Sequence, residues 1–178
     1  MDSFMTMGTK TRHNNIITHL IGRLFHLIDQ GKIHVLHEEC DLVYWGEKKE
    51  VHSTSLVDIE KLEDINLFRS DTINELEHVQ PDFMLFDKNK YIENEQETKT
   101  AGCPDLIVEI WSKKNTLADR AFKKHLYSTY SKTEHWYIKQ DSNKVECYLG
   151  DKELPSQFLK DMLKTQSGME IDLRRFSI

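Results

Sequence analysis

Apolar residues recur along this chain with two periods. From His13 to Gln30, the residues Ile16, Ile17, Leu20, Ile21, Leu24, Phe25, Leu27 and Ile28 follow the 3.6-residue repeat of one helix face. An amphipathic helix is predicted there, with Gly31 placed to end it. His13 projects onto the buried face at the N-terminal end of that helix, and Met1 to Arg12 reads as a loose lead-in. Lys32 to Tyr44 sets Ile33, Val35, Leu42 and Tyr44 among charges, which suits one or two short strands. Val79 to Phe86 is a compact apolar strand whose Pro81, lacking a backbone donor, marks a start or an edge. Leu106 to Trp111 is the second strong strand, and its Leu-Ile-Val centre suggests burial on both faces. Asn115 or Thr116 then caps a helix running to about Tyr130, with Asp119 spaced as in a capping box. His135 to Lys139 and Lys144 to Leu149 are two further strands around the turn Asp141 to Asn143, and Gly150 ends the pair. Leu154 to Leu163 has a helical pattern, and Met169 to Leu173 a short final strand.

This order of helix, strands, helix, strands and helix predicts an α/β or α+β fold with a mixed sheet. The 178 residues suit a single domain, residues 1–178. The acidic stretch 46–78, with weak helical segments at Leu56–Leu62 and Thr72–Leu76, reads as an insertion, and Asp87 to Thr100 as an exposed loop.

Composition narrows the class. The formal net charge is −6 and the pI about 5.8, which weighs against a general nucleic-acid binder but leaves room for a local basic patch. Cys40, Cys103 and Cys147 are odd in number and widely spaced, so they form neither a disulfide framework nor a zinc pattern. No apolar run reaches the roughly 18 residues of a membrane span. Met1 to Lys10 lacks the basic region and apolar core of a signal peptide, so the expected setting is cytoplasmic.

The chemistry concentrates between Gly102 and Tyr127. Strand alternation puts Asp105, Ile107, Glu109 and Trp111 on one face, and Leu106, Val108 and Ile110 on the other. Asp105 and Glu109 are separated by about 13 Å at roughly 3.3 Å per residue. A Mg²⁺ ion holds its oxygens at about 2.1 Å, so those two do not meet at one ion without a sharp bend. Asp82, on a strand about 4.8 Å away, meets Glu109 if the register allows. Asp82 with Glu109 is therefore the favoured pair, and Asp105 the second choice. Lys123 lies on the helix after Glu109, with Asp119 and Tyr127 one turn to either side. Two carboxylates and a lysine are the parts of a metal-dependent phosphodiesterase site, where the lysine orients water or stabilises the pentavalent phosphate. Each residue also has a plainer explanation. Asp82 after a proline is a common strand-start acid, and Lys123 can pair with Asp119 for a few tenths of a kcal/mol, leaving Lys124 solvated beside it. Glu109 is harder to explain so, because a buried carboxylate is costly unless paired or coordinated.

The set Pro81-Asp82, Gly102-Cys-Pro-Asp105-Leu-Ile-Val-Glu109-Ile-Trp-Ser112, Asp119, Lys123, Tyr127 and Glu134-His-Trp136-Tyr-Ile138 resembles the Uma-type (Uma-two) restriction-endonuclease family. That family is a branch of the PD-(D/E)xK nuclease superfamily. Gly168 to Leu173 with Phe176, and His13 ahead of Ile16 and Ile17, extend the resemblance over most of the chain. It implies a restriction-endonuclease-like core, a mixed β-sheet flanked by helices. It also implies that Asp82 and Glu109 bind Mg²⁺ or Mn²⁺ and that DNA, double-stranded, is the substrate. Trp111 stands where the usual lysine would be, two residues after the Glu, and the resemblance assigns that role to Lys123. His13, Asp105 and Tyr127 are candidates for support around the centre. Restriction-type enzymes commonly act as dimers, so a homodimer is a further expectation. The family's frequent Asp at the end of the Trp strand is replaced by Lys139. Two other functions compete: a non-catalytic binding or regulatory module on this frame, and a metal-dependent hydrolase of small phosphate esters. A positive groove beside Glu109 would favour DNA.

Overall fold

The computed structural model describes residues 3–37, 40–44, 77–88, 99–100 and 104–174. Residues 46–76 of the expected insertion, with its helical segments, most of the 87–100 loop and Cys103 lie outside them. Helix α1 spans Ser3–Asp29. It therefore starts ten residues before His13, and the expected loose lead-in is helical from Ser3 onward. No proline interrupts that lead-in, and extending a formed helix costs far less than nucleating one. Gly31 ends α1 as expected, with φ +60°, and Lys32 N donates back to Leu27 O at 2.9 Å.

The strands are β1 (Ile33–His37), β2 (Asp41–Tyr44), β3 (Glu77–Val79), β4 (Phe83–Asp87), β5 (Lys99–Thr100) and β6 (Leu106–Trp111). Helix α2 (Leu117–Ser128) follows, then β7 (Glu134–Lys139), β8 (Lys144–Leu149), β9 (Lys152–Phe158), β10 (Met162–Lys164) and β11 (Glu170–Asp172). Six strands form one mixed sheet in the order β1-β4-β6-β7-β8-β9. Only β6 and β7 run parallel in it, and α2 is the crossover that a parallel pair requires.

The expected helix at Leu154 to Leu163 is instead β9 and β10. Leu154, Phe158, Met162 and Leu163 mimic a helical repeat, but β9 pairs with β8 and β10 with β11, and Pro155, which a first helical turn would also accept, lies in β9. An edge strand tolerates it, and β9 is the sheet's edge. The β8–β9 register slips between Val145 and Cys147, where Glu146 faces the segment carrying Pro155 and Ser156.

Alternating strand residues divide the core into two clusters. Leu106, Val108 and Ile110 join Ile16, Ile17, Leu20 and Leu24 of α1. Ile107 and Trp111 join Leu126, Tyr127 and Tyr130 from α2 and the residues after it. Among the described residues the sheet thus has one helix on each face. Cys40 and Cys147 are buried free thiols. Among the described residues no helix is long and apolar enough to cross a membrane.

Candidate active site

Glu109 lies in the middle of the apolar strand β6 and is 1% exposed. Helix α2 covers it because Thr116 and Asp119 complete the capping box that starts the helix on register. Leu126 and Tyr127 then anchor α2 to the sheet. Lys123 Nζ donates to Glu109 Oε1 at 2.8 Å and Oε2 at 2.7 Å, and to the backbone oxygen of Gln80 at 3.0 Å. One turn later the Tyr127 hydroxyl donates to Oε1 at 2.6 Å. Lys123 therefore bridges to the strand across the centre, and Asp119 is occupied with Thr116 instead.

Asp82 comes from the residue before β4. Phe83 pairs with Val108 in antiparallel register, so the next step along both strands sets Asp82 opposite Glu109. Its Oδ2 accepts from Ile110 N at 2.6 Å, and His13 Nε2 of α1 lies 3.1 Å from its Oδ1. Burial, and then the charge of Asp82, push the Glu109 carboxyl up to about 7, while Lys123 and Tyr127 pull it down. Burial and the Glu109 charge hold the Tyr127 hydroxyl well above its ordinary value, so it stays a neutral donor.

Of the expected residues, Lys123 and Tyr127 thus meet on Glu109, Asp82 stands opposite Glu109 on the next strand, and His13 meets Asp82. Asp105 does not join them. Its Oδ2 accepts from Asp87 N at 2.6 Å, and its own N donates to Leu85 O at 2.8 Å. It fastens the start of β6 to the far end of β4.

The pattern of residues missed the centre's surroundings. The Gln80 carbonyl left no trace, because a backbone acceptor has no residue signature. Lys124, expected in solvent, instead lies over the rings of Trp111, Tyr137 and Tyr148. The alternation of Lys144, Glu146 and Tyr148 against buried Val145 and Cys147 was the available signal for that second group.

A mixed sheet with a helix on each face and an Asp–Glu–Lys centre across adjacent strands defines a restriction-endonuclease-like nuclease fold. Residues 64–174 match the model of the family described as "Uma2: Putative restriction endonuclease". The match takes in more than half of the chain, and the protein belongs to that family. The fold is similar to a crystal structure from Anabaena variabilis described as a "putative nuclease belonging to DUF820". The TM-score is 0.55 at 13% identity, over 93% of this chain and 79% of that one. No curated protein matches the chain.

Proposed function

We propose that this chain is a divalent-metal-dependent endonuclease that hydrolyses DNA phosphodiester bonds, with Asp82 and Glu109 as metal ligands and Lys123 at the reacting phosphate. The observation that carries the reading is the Lys123 ammonium on both oxygens of the buried Glu109, beside a second carboxylate from the next strand. An ion pair made only for stability gains little from a second acid that repels the first.

The donor chemistry fits a hard cation. Both side chains offer oxygen; burial, and then the charge of Asp82, raise the Glu109 carboxyl, and a bound cation would favour its ionised form. Among the described residues no group of three or more His, Cys, Asp or Glu gathers as a metal cage. Mg²⁺ is commonly held by one or two carboxylates, with waters and substrate phosphate oxygens completing its shell. Bound there, the ion would polarise the phosphate and lower the pKa of the attacking water.

The protein's own groups have distinct tasks. Tyr127 fixes the Glu109 carboxylate by its 2.6 Å bond, and Ile110 N and His13 fix Asp82. Lys123 carries a positive charge on a helix, whereas Glu109 lies on β6 and Asp82 just before β4. The Lys123 side chain is 22% exposed against 2% for Glu109, so it is the more open of the two to solvent and can meet a phosphate oxygen or orient the water.

Supercoiled plasmid incubated with Mg²⁺ or Mn²⁺ tests this. The wild type nicks or linearises it. Lys123→Met loses about 10²- to 10³-fold in rate but retains Mn²⁺ binding by calorimetry. Glu109→Gln loses both rate and Mn²⁺ binding. Absence of metal-dependent cleavage in the wild type, or unchanged cleavage in Glu109→Gln, rejects the proposal and favours the non-catalytic module.

A further inference from the structure

Glu109 is paired in register with Tyr137 on β7, and Tyr137 with Glu146 on β8. Register partners share a face, so Glu146 stands on the same face as Glu109, two strands away. At about 4.8 Å per strand that is roughly 10 Å. The two acids are each met by one of two consecutive lysines of α2, Glu109 by Lys123 and Glu146 by Lys124.

The resemblance between the pairs ends there. Glu146 is surrounded by three ammonium groups: Lys124 at 3.1 Å, Lys139 at 2.6 Å and Lys144 at 3.9 Å. Within this group of four side chains one carboxylate balances one ammonium, which leaves two positive charges in excess. This occurs in a chain whose formal net charge is −6. Lys124 is held in place by Tyr148, Tyr137 and Trp111, with ring centroids 4.9, 5.0 and 5.4 Å from Nζ, and by the Tyr148 hydroxyl. Lys139 and Lys144 are the outer members, 36% and 41% exposed. Exposed Lys113 and Lys114 follow Trp111, the residue paired with Lys139. The register slip of β8 against β9 falls at Glu146 itself, and such irregularities re-aim side chains beside functional sites.

A structural ion pair needs one lysine. Three crowded around one acid repel one another, and an incoming anion relieves that repulsion. We propose that Lys124, Lys139 and Lys144 around Glu146 form a phosphate subsite, which grips the DNA backbone a few nucleotides from the bond at Asp82 and Glu109. This rests on the endonuclease reading for the identity of its ligand. A DNA strand carries a charge about every 3.4 Å along the axis, so a site roughly 10 Å away lies on the same bound strand. Lysines act as point charges, so the subsite positions the duplex and reads no bases.

Fluorescence anisotropy with a labelled short duplex of mixed sequence tests it, with Ca²⁺ in place of Mg²⁺ so that the duplex is not cut. The plot of log affinity against log salt for Lys139→Gln/Lys144→Gln is expected to flatten by about 1.8, or about 0.9 per lost phosphate contact. Glu146→Gln changes charge in the opposite direction and binds more tightly than the wild type, an outcome misfolding does not mimic. Lys152→Gln, at the far end of the β8–β9 pair, keeps the wild-type slope. An unchanged slope in the double variant, no gain in Glu146→Gln, or no salt-dependent binding by the wild type overturns the subsite. Plasmid cleavage in Mg²⁺ separates the two proposals. Binding with the expected slope and no cleavage retires the endonuclease reading, and cleavage with an unchanged slope retires the subsite.

Discussion

Two buried side chains, Glu109 and His135, take up protons abnormally and in opposite senses. His135 Nε2 lies 2.8 Å from the backbone oxygen of Gly150, which only accepts, so Nε2 carries the proton. Nδ1 then accepts from the Tyr137 hydroxyl at 2.8 Å. Burial lowers the ring from 6.5 to about 4. The unfolded chain therefore binds the extra proton, and the stability that His135 contributes is full above about 6.5 and lost as pH falls through about 4. Glu109 is raised from 4.5 to about 7, so its contribution is full below about 4.5 and lost as pH rises through about 7. Over this shared window the two slopes oppose each other, each up to about 1.4 kcal/mol per pH unit. Urea midpoints measured between pH 4 and pH 7 separate them. Relative to the wild type, Glu109→Gln gains stability as pH rises, and His135→Gln loses it. Parallel curves for all three proteins would contradict both assignments.

At the scale of the element, α2 depends on its first turn. Thr116 Oγ1 accepts from Asp119 N at 3.1 Å, and Asp119 Oδ2 accepts from Thr116 N at 3.2 Å. Thr116→Ala removes the half of that box made by the Thr116 hydroxyl and is expected to cost about 1 kcal/mol, read as a lower melting temperature. The box was legible because Thr116 and Asp119 are local in sequence. So were β6, β8 and the Gly31 stop, where one period or one residue type decides. Leu154 to Leu163 misled because its apolar spacing satisfies a helix, while the β8 edge it pairs with is invisible locally. The same distinction divides the site. Asp82, Glu109 and Lys123 could be placed by strand spacing and helix repeat. The Glu146 cluster depends on the register Glu109–Tyr137–Glu146 across three strands, which no single segment encodes.

Across the whole molecule, one sheet separates the two apolar clusters, and α1 supplies the cover of the first. Leu20 is fully buried there with Ile16 and Leu24. Leu20→Ala is expected to cost about 2–5 kcal/mol in urea unfolding, since the sheet beneath cannot collapse into the gap. The site's connections span very different lengths of chain. Lys123 reaches Glu109 across 14 residues and Tyr127 across 18, all within the β6–α2–β7 crossover. Asp82 reaches Ile110 across 28, and His13 joins Asp82 from the far end of the chain. Each doubling of the enclosed loop adds about 0.6 kcal/mol of closure entropy. The crossover therefore sets the lysine over its carboxylate at the smallest ordering cost, and Asp82 and then His13 are the more expensive additions. In kinetic terms, the charge-neutral half of the centre is favoured to assemble first, so the chain need not hold a bare buried carboxylate while the rest of the fold arrives.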